Sequence, residues 1–255
     1  MPFEILTISC LRDNYAFLIH NDEIGQTALV DAPEEAAIES ALSQRGWSLN
    51  QILITHHHAD HVDGVAALRS RHNAQVVGAS ADAHRLPPLD IQVSPGDQLS
   101  VCGAMAHVID VSGHTVGHVA FHLPEVSAVF TADSLMALGC GRLFEGTPQQ
   151  MWDSLSRLAA LPPESWVYSG HEYTAANARF AVTIEPENRA LADRVARIAS
   201  DRAQDIPTVP SRLSDECATN PFLRASEPRV KKALGMENAE DWAVFAEIRA
   251  RKDRF

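Results

Sequence analysis

A block of histidines that includes one aspartate is the strongest chemical signal in the chain. Shortly after the largely apolar predicted strand 51–54 and Thr55 come His56, His57, His58, Asp60 and His61. Alternate side chains of an extended segment point the same way, so His56 and His58 can bind one ion while His57 points elsewhere. The turn beyond can bring Asp60 and His61 to a second ion. Residues 55–61, here called the histidine block, therefore predict a metal site at a strand exit.

Three further candidate ligands lie far from the histidine block in the sequence. His114, Asp133 and His171 each come after a short apolar run and beside small residues. Taken alone, each of them would be interpreted as an ordinary polar residue. Imidazole nitrogen and carboxylate oxygen together suit zinc or another first-row ion. With the histidine block, these side chains suffice for two ions if one carboxylate bridges.

The elements that must position these residues are short strands and helices. Predicted strands cover 3–9, 15–20, 26–31, 51–55, 75–79, 101–110, 119–123 and 128–131. Predicted helices cover 33–44, 62–71 and 151–161. Strands and helices mixed in this way indicate sheets covered by helices, which is an α/β (α+β) fold.

The chain changes character after about residue 170. Charged, alanine-rich segments at 174–180, 186–201 and 241–252 have helical patterns, and a proline-containing connection covers 206–210. This change predicts one domain over 1–170 and a smaller helical domain over 171–255.

Composition restricts the partners and the compartment. The chain has 255 residues and a formal net charge of -12, so its field repels nucleic acid and anionic membranes. Cys10, Cys102, Cys140 and Cys217 lack paired spacing, which favours free thiols in a reducing compartment. No export signal and no apolar run of ~20 residues is recognised. We expect a cytoplasmic monomer that acts on a small molecule.

Several short motifs carry a family resemblance. T-H-x-H-x-D-H at 55–61, G-H-T at 113–115, A-D-S at 132–134 and S-G-H at 169–171 resemble the metallo-β-lactamase superfamily. This resemblance implies an αββα sandwich with a binuclear metal site at one edge. It also implies that residues 1–170 form the catalytic domain and that residues 171–255 form the substrate-binding domain. Within the superfamily, segments 11–15, 139–146, 170–174, 187–188, 219–222 and 249–253 are most similar to the glyoxalase II (hydroxyacylglutathione hydrolase) family.

The family pattern implies a ligand set. One ion would be bound by His56, His58 and His114, the other by Asp60, His61 and His171, with Asp133 bridging. In this pattern, the catalytic residues would be Asp133, Asp60 and His61. The metal would be zinc, with iron or manganese as alternatives.

The same resemblance implies contacts to glutathione. They map to Arg142, Phe144, Tyr173, Arg249 and Lys252. Arg142 stands where the family has a lysine and keeps the positive charge, whereas Phe144 replaces a tyrosine found in some members and loses a hydroxyl. These departures bear on substrate affinity more than on activity.

The implied reaction converts S-D-lactoylglutathione to D-lactate and glutathione, the second step of methylglyoxal detoxification. Two cations ~3.5–4 Å apart lower the pKa of a shared water, and the resulting hydroxide would attack the thioester carbonyl. A thiol with a reference pKa of ~8.5 leaves without a dedicated general acid.

Other interpretations stay open at this point. A glutathione persulfide dioxygenase with a single iron would share most ligands, a lactonase or β-lactamase would leave the glutathione positions unexplained, and a non-catalytic protein would leave the ligands unexplained. Two residues near the motifs are ambiguous. His118 is interpreted as a packed histidine rather than a partner of a ligand, and Asp31 as a residue that could orient a ligand histidine.

Overall fold

Six strands near the amino terminus form one mixed sheet, in the order in which they follow along the chain. They are β1 (Phe3–Cys10), β2 (Asn14–Asn21), β3 (Gln26–Val30), β4 (Leu49–Leu53), β5 (Gln75–Ala79) and β6 (Ile91–Val93). Strands β1 to β3 pair antiparallel, and β3 to β6 pair parallel. The structure is a computed structural model and describes residues 2–255.

Helices connect the parallel strands. Helix α1 (Glu35–Arg45) joins β3 to β4, and α2 (Ala59–Val62) and α3 (Val65–His72) lie between β4 and β5. Because parallel strands need crossover connections, these helices cover one face of the sheet. Ile38 and Leu42 of α1 and Leu68 of α3 pack in one apolar core with Ile52 of β4. The histidine block leaves this sheet at the carboxyl end of β4.

A second set of strands packs on the first sheet. They are β7 (Gln98–Val101), β8 (Ala104–Asp110), β9 (Val119–Leu123) and β10 (Ala128–Ala132), and they run antiparallel in the order β10-β9-β8-β7. All eight residues of β2 are buried, and Phe17 of β2 contacts Phe130 of β10 with ring centroids 5.7 Å apart. A strand buried on both faces is expected between a helical layer and a second sheet, which confirms the predicted sandwich.

The chain forms two compact units. The first comprises residues 1–110 and 117–131, of which the structure describes all but the first residue, and the second comprises 111–116 and 132–255. The strands of the second unit are β11 (Leu135–Met136), β12 (Gly139–Cys140), β13 (Trp166–Ser169) and β14 (Ser211–Arg212). Its helices are α4 (Pro148–Ala159), α5 (Thr174–Ile184), α6 (Arg189–Arg202), α7 (Leu213–Thr219), α8 (Pro228–Leu234) and α9 (Asp241–Arg254). Phe222 packs against Phe180 and Phe245 at the centre of these helices. The division of the sequence at residue 170 stays a prediction.

Two predicted elements were wrong in their extent. The predicted strand 101–110 is a hairpin of β7 and β8, because Cys102 and Gly103 adopt positive φ values of 51° and 86° and turn the chain. The predicted helix 62–71 is broken at Gly64, whose N–H donates to Ala32 O at 2.9 Å. A Cβ at Gly64 would lie 2.9 Å from the carbonyl carbon of Glu34, so the backbone approaches too closely for a side chain.

The sequence predicted neither a membrane-spanning helix nor a disulfide, and the structure bears on both predictions. Among residues 2–255, no helix has the length and apolar character needed to cross a bilayer. The four cysteines carry no disulfide, and three of them are buried. Burial raises the pKa of Cys10 and of Cys102 to about 12, so these thiols stay protonated and serve as small apolar groups.

Candidate metal centre

Asp31 organises the histidine block from the carboxyl end of β3. It accepts hydrogen bonds from the backbone N–H of Thr55 at 2.9 Å and from the Thr55 hydroxyl at 2.8 Å. His61 Nδ1 lies 2.8 Å from the same carboxylate. Because a carboxylate only accepts, Nδ1 of His61 carries the proton and Nε2 keeps its lone pair. Asp31 therefore fixes His61 in the form that can bind a metal.

The ring nitrogens of the histidine block converge. His56 Nε2 lies 3.1 Å from His58 Nδ1, and ligand atoms of Asp31, His56 and His61 lie within 4.8 Å of one another. His56 and His61 are completely buried. Imidazole nitrogens so close together in a buried place are arranged to share a proton or a cation.

Asp60 is held by a residue from β2. Asn14 Nδ2 donates to Asp60 Oδ2 and to the Asp60 backbone carbonyl, both at 3.0 Å. Asp60 Oδ2 lies 3.9 Å from His61 Nε2. This Asn14 contact was not predicted, although Asn14 lies within segment 11–15, which resembles the glyoxalase II family.

His57 faces away from the other ring nitrogens of the block. Its Nδ1 lies 3.2 Å from Asp82 Oδ2, and Arg85 donates to the other oxygen of that carboxylate at 2.6 Å. A Cβ at Gly117 would lie 2.1 Å from Asp82 Cγ, so Gly117 makes room for Asp82. The alternation of an extended segment predicted this orientation of His57; no sequence motif indicated Asp82.

His118 is packed, as predicted, but it packs on the candidate ligand His56. It is therefore also a partner of a ligand, which the sequence analysis did not favour. Its ring is completely buried and stacks on His56, with centroids 4.6 Å apart and an interplanar angle of 12°. Its Nδ1 lies 3.2 Å from the carbonyl of Val119. His118 therefore limits the orientations that the His56 ring can adopt.

In the second unit, two histidines converge on one aspartate oxygen. His114 Nε2 lies 3.4 Å from Asp133 Oδ2, and His171 Nε2 lies 3.3 Å from the same atom. All three side chains are buried. His114 Nδ1 lies 2.7 Å from the carbonyl of Arg142 and must donate to it. The lone pair of His114 Nε2 therefore faces a carboxylate oxygen, and two acceptors in that position need a proton or a cation between them. This donor set fits a divalent metal.

Close backbone packing holds this second set in place. Gly141 approaches so closely that a Cβ would lie 1.9 Å from the Asp133 carbonyl oxygen and 3.0 Å from His114 Nδ1. Ser154 of α4 donates to the Ser112 carbonyl at 2.7 Å and so fixes the loop before His114. The three residues thus depend on contacts between segments distant in sequence.

Two aromatic side chains contact this second set and are exposed. Tyr173 stacks on His171 with centroids 4.6 Å apart, and Phe144 meets the His114 ring edge-on at 5.2 Å. Phe144 is 61% exposed and Tyr173 is 39% exposed. Exposed rings beside buried histidines are suited to contact a bound molecule.

The three predicted basic residues differ in exposure. Arg142 is mostly exposed, and its Nε lies 3.6 Å from Asp253. Arg249 is buried and donates to the Cys140 carbonyl at 3.0 Å and to Asp253 at 2.9 Å. Lys252 donates to the Ala176 carbonyl at 3.2 Å.

Lys252 has a perturbed pKa. Burial, and then the positive charge of Arg249, lower the pKa of Lys252 to about 8. The ammonium group is therefore charged at neutral pH and loses its charge under mildly alkaline conditions.

Comparisons with known proteins agree with this fold. Residues 12–171 match the family model of the metallo-β-lactamase superfamily, and residues 172–255 match the model of the hydroxyacylglutathione hydrolase C-terminus. The chain is thus a metallo-β-lactamase superfamily hydrolase with a helical C-terminal extension. A hydroxyacylglutathione hydrolase from Ruegeria pomeroyi is 65% identical over 255 residues, which is 100% of both chains. The chain therefore belongs to the hydroxyacylglutathione hydrolase (glyoxalase II) family and has that enzyme activity.

Solved structures show the same fold. The structure of ETHE1 from Myxococcus xanthus has a TM-score of 0.64 and 28% identity, and the match covers 99% of this chain and 98% of that one. TTHA1623, solved in a di-iron-bound form, has a TM-score of 0.55 and 31% identity over 66% of this chain and 91% of its own.

Proposed function

We propose that the chain hydrolyses S-D-lactoylglutathione to D-lactate and glutathione with two divalent ions, and that this is the second step of methylglyoxal detoxification. One observation carries the proposal: His114 and His171 both direct Nε2 at the same oxygen of Asp133. A carboxylate that meets two imidazole nitrogens in a buried place is suited to bridge two ions.

The ligands follow the family pattern. One ion would be bound by His56, His58 and His114, the other by Asp60, His61 and His171, and Asp133 would bridge. The relative TTHA1623, solved in a di-iron-bound form, supports two ions. We propose zinc, with iron or manganese as alternatives, because histidine and aspartate accept all three.

Hydrogen bonds to the far ring nitrogens keep the ligands in the required form. Asp31 accepts from His61 Nδ1, and the Arg142 carbonyl accepts from His114 Nδ1. Each bond leaves Nε2 as the metal-binding atom. Two divalent ions held by these residues would supply a nucleophile derived from water at neutral pH and an electrophile for the thioester carbonyl.

The chain's own residues would bind and orient glutathione. Glutathione is an anion and the chain has a net charge of -12, so local positive charge is needed. Arg142, Arg249 and Lys252 would supply that charge, while Phe144 and Tyr173 would contact the peptide. Of these, Arg249 already bonds to the Cys140 carbonyl and to Asp253, so it would act chiefly through its charge.

No general acid is required for the leaving group. A thiol with a reference pKa of ~8.5 leaves as thiolate.

We further propose that the enzyme is cytoplasmic and that it is a monomer. Light scattering on the purified protein would test the proposed monomeric state.

A paired assay tests the proposed function. Wild-type protein is stripped with a chelator and restored with zinc, and thiol release from S-D-lactoylglutathione is followed before and after. We expect activity to disappear and return. Oxygen consumption is measured in parallel with glutathione persulfide. Oxygen uptake without thioester cleavage would replace this proposal by the dioxygenase interpretation.

A further inference from the structure

Residues 133–142, here called the hairpin segment, are held by side chains of the C-terminal helices. The segment contains β11 and β12 and begins with the candidate ligand Asp133. Asn220 Nδ2 donates to the carbonyls of Met136 at 3.1 Å and of Gly139 at 2.9 Å. Asn177 Nδ2 of α5 donates to the carbonyl of Ala137 at 3.1 Å. The backbone of the turn is thus fixed from outside the hairpin.

Glu216 of α7 holds the tip of the same turn. Its carboxylate is completely buried, and its Oε2 accepts from the Leu138 N–H at 2.9 Å and from Asn220 Nδ2 at 3.0 Å. Its Oε1 accepts from the Ser211 hydroxyl at 2.6 Å and from the guanidinium of Arg194. Leu138 has a φ of 55°, a conformation that residues other than glycine rarely adopt. Such a conformation persists where the surroundings over-determine it, and Glu216 supplies that restraint.

The ends of the hairpin segment contact the candidate ligands. The Gly141 N–H donates to the Ser134 carbonyl at 3.0 Å and closes the hairpin. Gly141 also packs against the Asp133 carbonyl, and the next carbonyl, that of Arg142, accepts from His114 Nδ1 at 2.7 Å. A displacement at the turn therefore reaches both Asp133 and the ring of His114.

We propose that Glu216 and Asn220 are positioning residues of the metal centre: from α7 and its C-terminal end they fix the hairpin segment that presents Asp133 and orients His114. The helical extension then serves metal binding as well as glutathione binding. This inference rests on the proposed function, because it takes Asp133 and His114 as ligands.

The test compares two buried glutamates of the second unit. Glu216→Gln keeps the size of the side chain but puts N–H donors where one oxygen accepted. The control is Glu185→Gln, since Glu185 is a largely buried glutamate that pairs with Arg224 at 2.7 and 3.0 Å rather than with the hairpin segment. Zinc affinity is measured by chelator competition, and Tm is measured on metal-free protein.

We expect Glu216→Gln to bind zinc about tenfold more weakly than wild type, at the low end of the range for residues that orient a ligand. Glu185→Gln should keep the wild-type affinity for zinc, while its Tm should fall by about as much as that of Glu216→Gln. If Glu216→Gln does not fold, Asn220→Ala, which removes the donor to Met136 and Gly139, takes its place in the same comparison. Wild-type zinc affinity in the Glu216 or Asn220 variant, or an equal loss in Glu185→Gln, would overturn the inference. A wild-type protein that binds none of zinc, iron and manganese would instead refute the proposed function.

Discussion

Candidate metal ligands are found both in the histidine block and in the set His114, Asp133 and His171, but different contacts hold the two sets in place. The block is one short segment at the end of β4, and a single carboxylate, Asp31, fixes both its backbone and His61. The second set comes from three segments and depends on a backbone carbonyl, a close glycine contact and the restrained turn of residues 136–139. One short segment therefore supplies all the ligands of the first set, although Asp31, 24 and 30 positions from its partners, holds them. Three distant segments must come together to supply the ligands of the second set.

Removal of Asp133 should have the largest effect. Asp133→Ala takes away the oxygen on which His114 and His171 converge. We expect kcat/KM to fall by more than about 100-fold, beyond the loss seen for residues that only orient a ligand. Metal content is measured together with steady-state kinetics. A near-normal rate in this variant would remove Asp133 from the site.

Two glycine variants compare the two sets directly. Gly141→Ala would push a Cβ into the Asp133 carbonyl oxygen. Gly117→Ala would push a Cβ into Asp82, whose carboxylate pairs with His57 and Arg85, and neither of these two residues is a candidate ligand. Both should lose stability, on the order of 1–3 kcal/mol for an overpacked site. Only Gly141→Ala should also lose metal and most of its activity. Urea unfolding and metal analysis measure the two effects, and equal metal loss in both variants would contradict the comparison.

Asp31→Asn tests whether the histidine block depends on its carboxylate. The amide can still accept from Thr55 but no longer provides two acceptor oxygens, so His61 loses its fixed tautomer. We expect metal affinity to fall by about 10- to 100-fold. Asp82→Asn is the matched control, because it alters the partner of His57 and should leave the affinity within about twofold, well below that range. Chelator competition measures both, and the idea fails if the two variants behave alike.

The smallest expected effect concerns pH. The pKa of Lys252 is lowered to about 8, mainly by burial and next by Arg249 and Arg179, while Asp253 and Cys140 act in the opposite direction. The ammonium is charged below this pKa and neutral above it, so the KM for an anionic thioester should rise several-fold as the pH passes through about 8. In Lys252→Gln, KM should already be raised at pH 7 and this step should be missing. A wild-type KM that stays flat between pH 7 and 9 would count against a substrate contact by Lys252.

The sequence predicted the strands and ligands whose signal is local. The alternation in the histidine block and the strand 75–79 could be predicted, because the spacing of the side chains and the residue types indicate the same structure within a few positions. The hairpin at Cys102 was missed because a non-glycine residue adopts a positive φ there. Asp82, Glu216 and Asn177 could not be found in the same way, since their partners lie 25, 78 and 40 positions away. The roles of His114, Asp133 and His171 were predicted only through a family resemblance.

We propose that turnover requires two ions, held by the histidine block and by the set His114, Asp133 and His171. Stripped protein is titrated with counted equivalents of zinc while thiol release from S-D-lactoylglutathione is measured at each addition. We predict that the rate rises until the second equivalent and is then constant. A full rate at one equivalent, or turnover by the metal-free protein, would contradict the account.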